Sequence, residues 1–278
     1  MRVRPGSTLK IAIVRLFAAG ILFAPLCAAA QAGAVAQAGP ASTSIQAQTD
    51  RDVLDARILM ARKDYAGAAA IYERLAKQYP RDPSYPNFAG IAHLAQADLD
   101  GARKLFERST KLDKHFAAGF HNLGAVWFSL KDYKRAVREY QRAVALDPNV
   151  APYYAHLGYA FYNRGKLPEA MEMFRKAMAL DPGVFEATGR DGPIVEDRTI
   201  VNKGLFYFTM AKSYAQLSDA MHCAVYLRRA FEEGYKEMAK ARSDPAFMQV
   251  LASPDVQAIL DEAAPLPVAP PNPPRPSA

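Results

Sequence analysis

Two stretches of this chain repeat each other at a distance of 34 residues. Phe120, Leu123, Gly124, Trp127, Ala136, Tyr140, Ala143 and Pro148 recur as Tyr154, Leu157, Gly158, Phe161, Ala170, Phe174, Ala177 and Pro182, with no residue inserted. A fixed period of this length is the mark of stacked helical hairpins, each burying an apolar face against the next. The expected fold class is therefore all-α, a solenoid of helix-turn-helix units. Glycine inside a helix costs up to about 1 kcal/mol relative to alanine. Gly124 and Gly158 thus call for a packing reason, and close approach to Ala136 and Ala170 in the second helix supplies one. Asp147-Pro148 and Asp181-Pro182 end second helices, because proline rejects the helical conformation for its predecessor.

The period extends backwards. Residues 83–116 place Gly90, His93, Ala102 and Phe106 in matching positions, and residues 49–82 place Ala56, Leu59, Ala68, Tyr72 and Pro80. After Pro182 the register breaks. The turn-forming run Thr188-Gly189-Arg190-Asp191-Gly192-Pro193 marks an insertion over 185–203. A looser fifth hairpin follows at 204–237, carried by Tyr207, Met210, Ala211, Tyr214, Cys223, Leu227 and Ala230. Asp244-Pro245 and Ser253-Pro254 then open short helices over 238–263, read as a C-terminal cap. Residues 31–49 and 264–278 flank the repeats. The first is rich in Ala, Gln, Gly, Ser and Thr and reads as a disordered spacer. The second crowds seven prolines from Pro265 to Pro276 and favours an extended polyproline II tail.

The chain opens with Arg2, Arg4 and Lys10, an apolar run from Leu16 to Cys27, and Ala28-Ala29-Ala30. This order is that of a secretory signal peptide, with cleavage expected after Ala30 and export to the periplasm or cell envelope. The apolar run is short of the roughly 20 residues that span a bilayer. Membrane association is expected only if the segment is retained or lipidated at Cys27. Removing 1–30 takes four bases and no acids, so Lys+Arg falls from 35 to 31 against 28 acids and the net charge from +7 to +3. A charge of +3 without a basic cluster is weak support for nucleic-acid or membrane-surface binding, and no nucleic acid is expected as a partner. Cys223 is then the one cysteine left, so no internal disulfide is available.

Taken together, these positions resemble the tetratricopeptide repeat (TPR) family. Repeats 117–150 and 151–184 fit its pattern best, and 83–116 and 49–82 follow in phase. The ending, Gly234-Tyr235 followed by Asp244-Pro245 and Ser253-Pro254, is similar to that of exported bacterial members. The resemblance implies a right-handed superhelix whose first helices line a concave groove. The groove candidates are Arg57, Asn87, His121, Phe128, Ser129, Tyr159, Tyr162, Asn163, Phe208, Lys212 and Gln216. Aromatic side chains with a few polar partners suit an extended peptide or a partner helix. Members that clamp an acidic chaperone C-terminus carry a basic groove; Asn122 fits that pattern, whereas Ala125, Pro152 and His156 do not.

Catalytic chemistry has little to stand on. His93, His115, His121, His156 and His222 form neither HxxxH nor HExxH, so no metal or cofactor is expected. Cys223 stands where other repeats have alanine and reads as a small buried group. Asp191, Glu196 and Asp197 cluster in the insertion without a partner base. The function expected is a non-enzymatic protein–protein interaction scaffold of the bacterial envelope, its oligomeric state open. The alternatives are an assembly factor for pilus or secretion machinery, and an envelope enzyme with its site at 185–203. If the groove reading holds, replacing Tyr159 and Tyr162 by alanine weakens partner capture without unfolding the chain.

Overall fold

A computed structural model describes residues 40–185, 200 and 202–264. The regular elements among them are all helical. They form two compact units that divide within one helix, after Asn122.

The first unit contains α1 (Pro40–Ala61), α2 (Tyr65–Gln78), α3 (Ser84–Ala95), α4 (Leu99–Leu112) and the first half of α5 (Ala117–Ser129). Its core is Ala56, Met60, Ala68, Tyr72, Leu75, Ile91, Ala102 and Phe106. The helix α1 corrects one expectation. Residues 40–49, assigned to a disordered spacer, are its first turns. Alanine and glutamine are good helix formers, and Gln46 and Gln48 each donate to an aspartate one turn on, Asp50 and Asp52. What seats this stretch is polar rather than apolar. The Thr49 hydroxyl meets the Tyr79 hydroxyl at 2.5 Å, and Arg74 Nη1 donates to Asp52 Oδ2 at 2.9 Å. A search for large apolar residues passes over such contacts.

The second unit holds the rest of α5, then α6 (Tyr133–Leu146), α7 (Ala151–Asn163), α8 (Leu167–Leu180), α9 (Lys203–Gln216), α10 (Ala220–Glu232), 3-10 turns at Met238–Arg242 and Pro245–Phe247, and α11 (Pro254–Glu262). One apolar cluster runs through it from Phe128 to Leu260. Val184, Phe185 and Ile200, at the edges of the insertion, belong to that cluster.

The turns inside hairpins share one construction. A residue in the left-handed region (Lys63, Ala97, Lys131, Gly165 or Ser218) is followed by the residue that starts the second helix. In four of the five that starter is an aspartate. Asp64, Asp98, Asp132 and Asp219 accept a hydrogen bond from the backbone N–H three residues on, at 2.9–3.0 Å. This satisfies a donor that the first helical turn leaves unpaired. The second helices close at Asp147 and Asp181 with extended backbone (φ −141° and −147°) ahead of proline.

The helix-borne glycines make room for rings. A Cβ at Gly90 would stand 2.7 Å from Phe106, one at Gly124 2.7 Å from Tyr140, and one at Gly158 2.5 Å from Phe174. The group that needs the space is thus the large aromatic of the paired second helix, not the alanine that the sequence pattern suggested.

Candidate functional site

In the first unit Arg57 lies exposed on α1, while Asn87 and His121 are buried on α3 and α5. Asn122 joins the latter two, donating from Nδ2 to Asn87 Oδ1 at 2.9 Å and lying 3.3 Å by its Oδ1 from His121 Nδ1. Buried polar groups are kept where their hydrogen bonds are satisfied. This chain of three therefore ties α3 to α5 and does not present a surface.

A second polar construction in this unit was not visible as a site. His93 on α3 holds Glu73 Oε1 of α2 at 2.7 Å through Nε2, and Asp98 Oδ2 at the start of α4 at 2.7 Å through Nδ1. Burial lowers its pKa, but the two carboxylates outweigh that and the net shift is upward. Both ring nitrogens are engaged on opposite sides, so the group is a clamp across three helices.

In the second unit the aromatic candidates are interior. Phe128 packs edge-on against Tyr133 at 5.2 Å. Tyr159 is surrounded by Phe174, Phe185 and Phe206 at 5.4–6.2 Å. Tyr162 meets Phe206 edge-on, and its hydroxyl donates to the Asn202 carbonyl at 2.8 Å. Burial pushes the Tyr162 hydroxyl up to about 12. Phe208 is stacked on Tyr235 at 4.6 Å and tilted against Phe247 at 5.5 Å, so the 3-10 segment covers it. Truncating such rings costs about 3–5 kcal/mol. The expectation that Tyr159 and Tyr162 could become alanine in a still-folded chain therefore does not stand.

What remains at the surface is polar. Ser129, Asn163 and Gln216 are the last residues of α5, α7 and α9, at the same place in three hairpins. Ser129 and Gln216 are exposed and Asn163 half-buried. Ser129 Oγ donates to Ala125 O and Asn163 Nδ2 to Tyr159 O, each one turn back on its own helix. Lys212, one turn before Gln216, is engaged by Asp244 at 2.5 Å. Burial raises the Asp244 pKa, but Lys212 and the Ala246 N–H bring it down overall.

No arrangement for bond-making is assembled by these residues. Burial pushes the Cys223 thiol up to about 12, which leaves it inert. His156 is stacked on Tyr140 at 5.8 Å, and burial pushes its pKa down to about 4. Among the described residues no group of three or more His, Cys, Asp or Glu is placed to hold a metal. No helix among them is long and apolar enough to cross a membrane. Asp191, Glu196 and Asp197, the leader 1–30 and the proline-rich tail lie outside the described residues.

Comparison with known proteins agrees with this architecture. Family models described as TPR repeat and Tetratricopeptide repeat match residues 126–165, 54–115 and 151–184. Residues 54–115 and 126–184 thus carry tetratricopeptide repeats. No curated protein matches it. Among solved structures, MamA 41-end from Desulfovibrio magneticus RS-1 is 20% identical, with 68% of this chain and 96% of that one covered and a TM-score of 0.47. TTC0263, a thermophilic TPR protein in Thermus thermophilus, is 15% identical, with 77% and 98% covered and a TM-score of 0.47. YrrB, described as a TPR protein with an unusual peptide-binding site, is 19% identical, with 73% and 97% covered and a TM-score of 0.46. With identities of 15–20% and TM-scores below 0.5, nothing further is drawn from these likenesses.

Proposed function

We propose that this chain is a non-enzymatic protein–protein interaction scaffold of the bacterial cell envelope. The observation that carries the reading is the division of labour along the first helices of the second unit. Their apolar and aromatic residues are committed to packing. Their ends present Ser129, Asn163 and Gln216 in matching places. A rigid platform with an outward polar row binds a partner at little ordering cost, because the contact residues are held before the partner arrives. The occupant that suits the row is an extended peptide or helix whose polar groups bond the Ser129 hydroxyl and the two amides. Envelope location is supported by the order of residues 1–30: basic start, short apolar run, small residues before Gln31.

The test is affinity capture of the tagged protein from cross-linked envelopes, with the wild type beside Asn163→Arg/Gln216→Arg. The double variant should lose the protein that the wild type enriches while its melting temperature stays unchanged. Recovery of the same protein at the same yield would remove this row from the account.

A further inference from the structure

Along the sequence, the bases of residues 131–142 are interrupted by Asp132 and Glu139 and read as no cluster. The helix gathers them. The exposed residues of α6 are Lys134, Arg135, Arg138, Gln141, Arg142 and Ala145. Lys134, Arg138 and Arg142 follow at intervals of four and share one stripe, with Arg135 beside it and exposed Lys131 in the turn before. Five bases against two acids leave this segment at +3, which is the whole excess of the chain without residues 1–30. The face is particular to this hairpin. One repeat on, Glu169 and Glu172 stand at the places of Arg135 and Arg138. In the fifth hairpin Met221 and Val225 stand at those of Lys134 and Arg138.

The two acids orient the bases rather than cancel them. Glu139 is 2% exposed, and both its oxygens are held by guanidinium groups. Arg138 donates from Nε to Oε1 at 2.8 Å, and Arg142 from Nη1 to Oε2 at 2.9 Å. Asp132 Oδ2 lies 3.2 Å from Arg135 Nε, and the Arg135 guanidinium sits over the Trp127 ring at 4.5 Å. Arg135 and Arg138 thus have one edge fixed, yet their side chains stay 52% and 59% exposed. A base already held in place loses little rotamer freedom when it gains a second carboxylate. Lys134 makes no ion pair among the described residues. Lys134, Arg135 and Arg138 line, with Asp132, an open hollow of about 400 Å³.

We propose that this face of α6 binds an acidic segment of a protein partner, extended and with carboxylates on alternate residues. The spacings agree. Lys134 and Arg138 are about 6 Å apart along the axis at 1.5 Å per helical residue. Alternate residues of a strand are about 6.6 Å apart at 3.3 Å each, so two successive carboxylates on one side meet both bases. Arginine takes a carboxylate through parallel N–H donors, which adds orientation to charge. Other polyanions fit less well. Asp132 in the lining repels a continuous phosphate chain. Trp127 is covered by Arg135 and Tyr133 packs edge-on against Phe128, so neither ring is presented to stack a base. A helix that lies on a bilayer pairs its bases with large apolar side chains, and none is exposed on α6. This binding uses no residue of the row at Ser129, Asn163 and Gln216.

Fluorescence anisotropy of the full-length protein with a labelled peptide of alternating glutamate and alanine tests this. Wild type is compared with Lys134→Glu and with Lys236→Glu, an exposed lysine off the face whose replacement changes the net charge equally. The wild type should bind the alternating peptide more tightly than one of the same composition with its glutamates in a single block, and less tightly as salt is raised. Lys134→Glu should weaken binding several-fold at an unchanged melting temperature, and Lys236→Glu should leave it unchanged. Absence of binding, equal losses in the two variants, or no preference for the alternating peptide overturns the proposal. So does tighter binding to vesicles of phosphatidylserine and phosphatidylcholine, or to an oligothymidylate, than to the peptide.

Discussion

Replacing Gly158 by alanine probes the packing rule on which the hairpins depend. The added Cβ would stand 2.5 Å from Phe174 Cε1, 2.6 Å from Cδ1 and 3.2 Å from Cζ. Carbon atoms in contact prefer about 3.5–4.0 Å, so the ring must retreat by about 1 Å. It has nowhere to go. Phe174 is fully buried, with Tyr159 at 5.4 Å, Phe185 at 5.6 Å and Phe206 at 6.0 Å between ring centres. Overpacking of this kind costs about 1–3 kcal/mol. Alanine returns about 1 kcal/mol as the better helix former. With a clash of this depth the net expectation is a loss of about 1–2 kcal/mol. Gly183→Ala is the control, since its Cβ meets Asp181 Oδ1 at an ordinary 3.5 Å; it should stay within about 0.5 kcal/mol of wild type. Denaturant midpoints at unchanged slope read both. Shrinking the ring in Gly158→Ala/Phe174→Leu should recover part of the loss, giving a double variant more stable than the two singles sum to. A Gly158→Ala protein as stable as wild type, or more so, would refute the reasoning.

Two histidines should give stability opposite pH dependences. His156 is held near pKa 4, below the ordinary 6.5, so the unfolded chain takes up its proton first as pH falls. Its contribution is complete above about pH 6.5 and disappears toward pH 4, up to about 3 kcal/mol at 1.36 kcal/mol per unit. His156→Phe should flatten that limb in unfolding curves at stepped pH. His93 has a raised pKa, so the Glu73–His93–Asp98 clamp stabilises fully below the unfolded value and is lost as pH rises through the folded one. Both carboxylates are over a third exposed, so water screens the pair to below about 1 kcal/mol, and His93→Gln should remove the slope. Tyr162→Phe leaves the Asn202 carbonyl without its 2.8 Å donor and should cost about 1 kcal/mol in thermal unfolding.

The hairpins were legible because glycine, aromatic and proline recur at one spacing, and those residue types have few alternative uses inside a helix pair. The turns were less so. Of the five left-handed turn residues only Gly165 announces itself, while Lys63, Ala97, Lys131 and Ser218 adopt that conformation because the adjoining helices require it. The start of α1 was missed because its anchors, Thr49 and Asp52, are polar contacts to residues about one helix away in sequence. The candidate site suffered from the same limit. Periodicity says which residues share a helix face, but not which of them a neighbouring element covers. Phe208 faces outward by register and is closed over by Tyr235 and Phe247. Gln216, at a helix end, is exposed and Asn163 half-buried, which only the packed structure distinguishes.

The claim that this chain works by holding a protein partner along its helix ends is tested most directly by site-specific photo-crosslinking in intact cells. A photoreactive residue is placed at Asn163 or Gln216, and at exposed Lys236 as a control. The account predicts one discrete adduct, of the same mass, from Asn163 and Gln216 and none from Lys236. No adduct from either position, or an equal spread of adducts from all three, would contradict it.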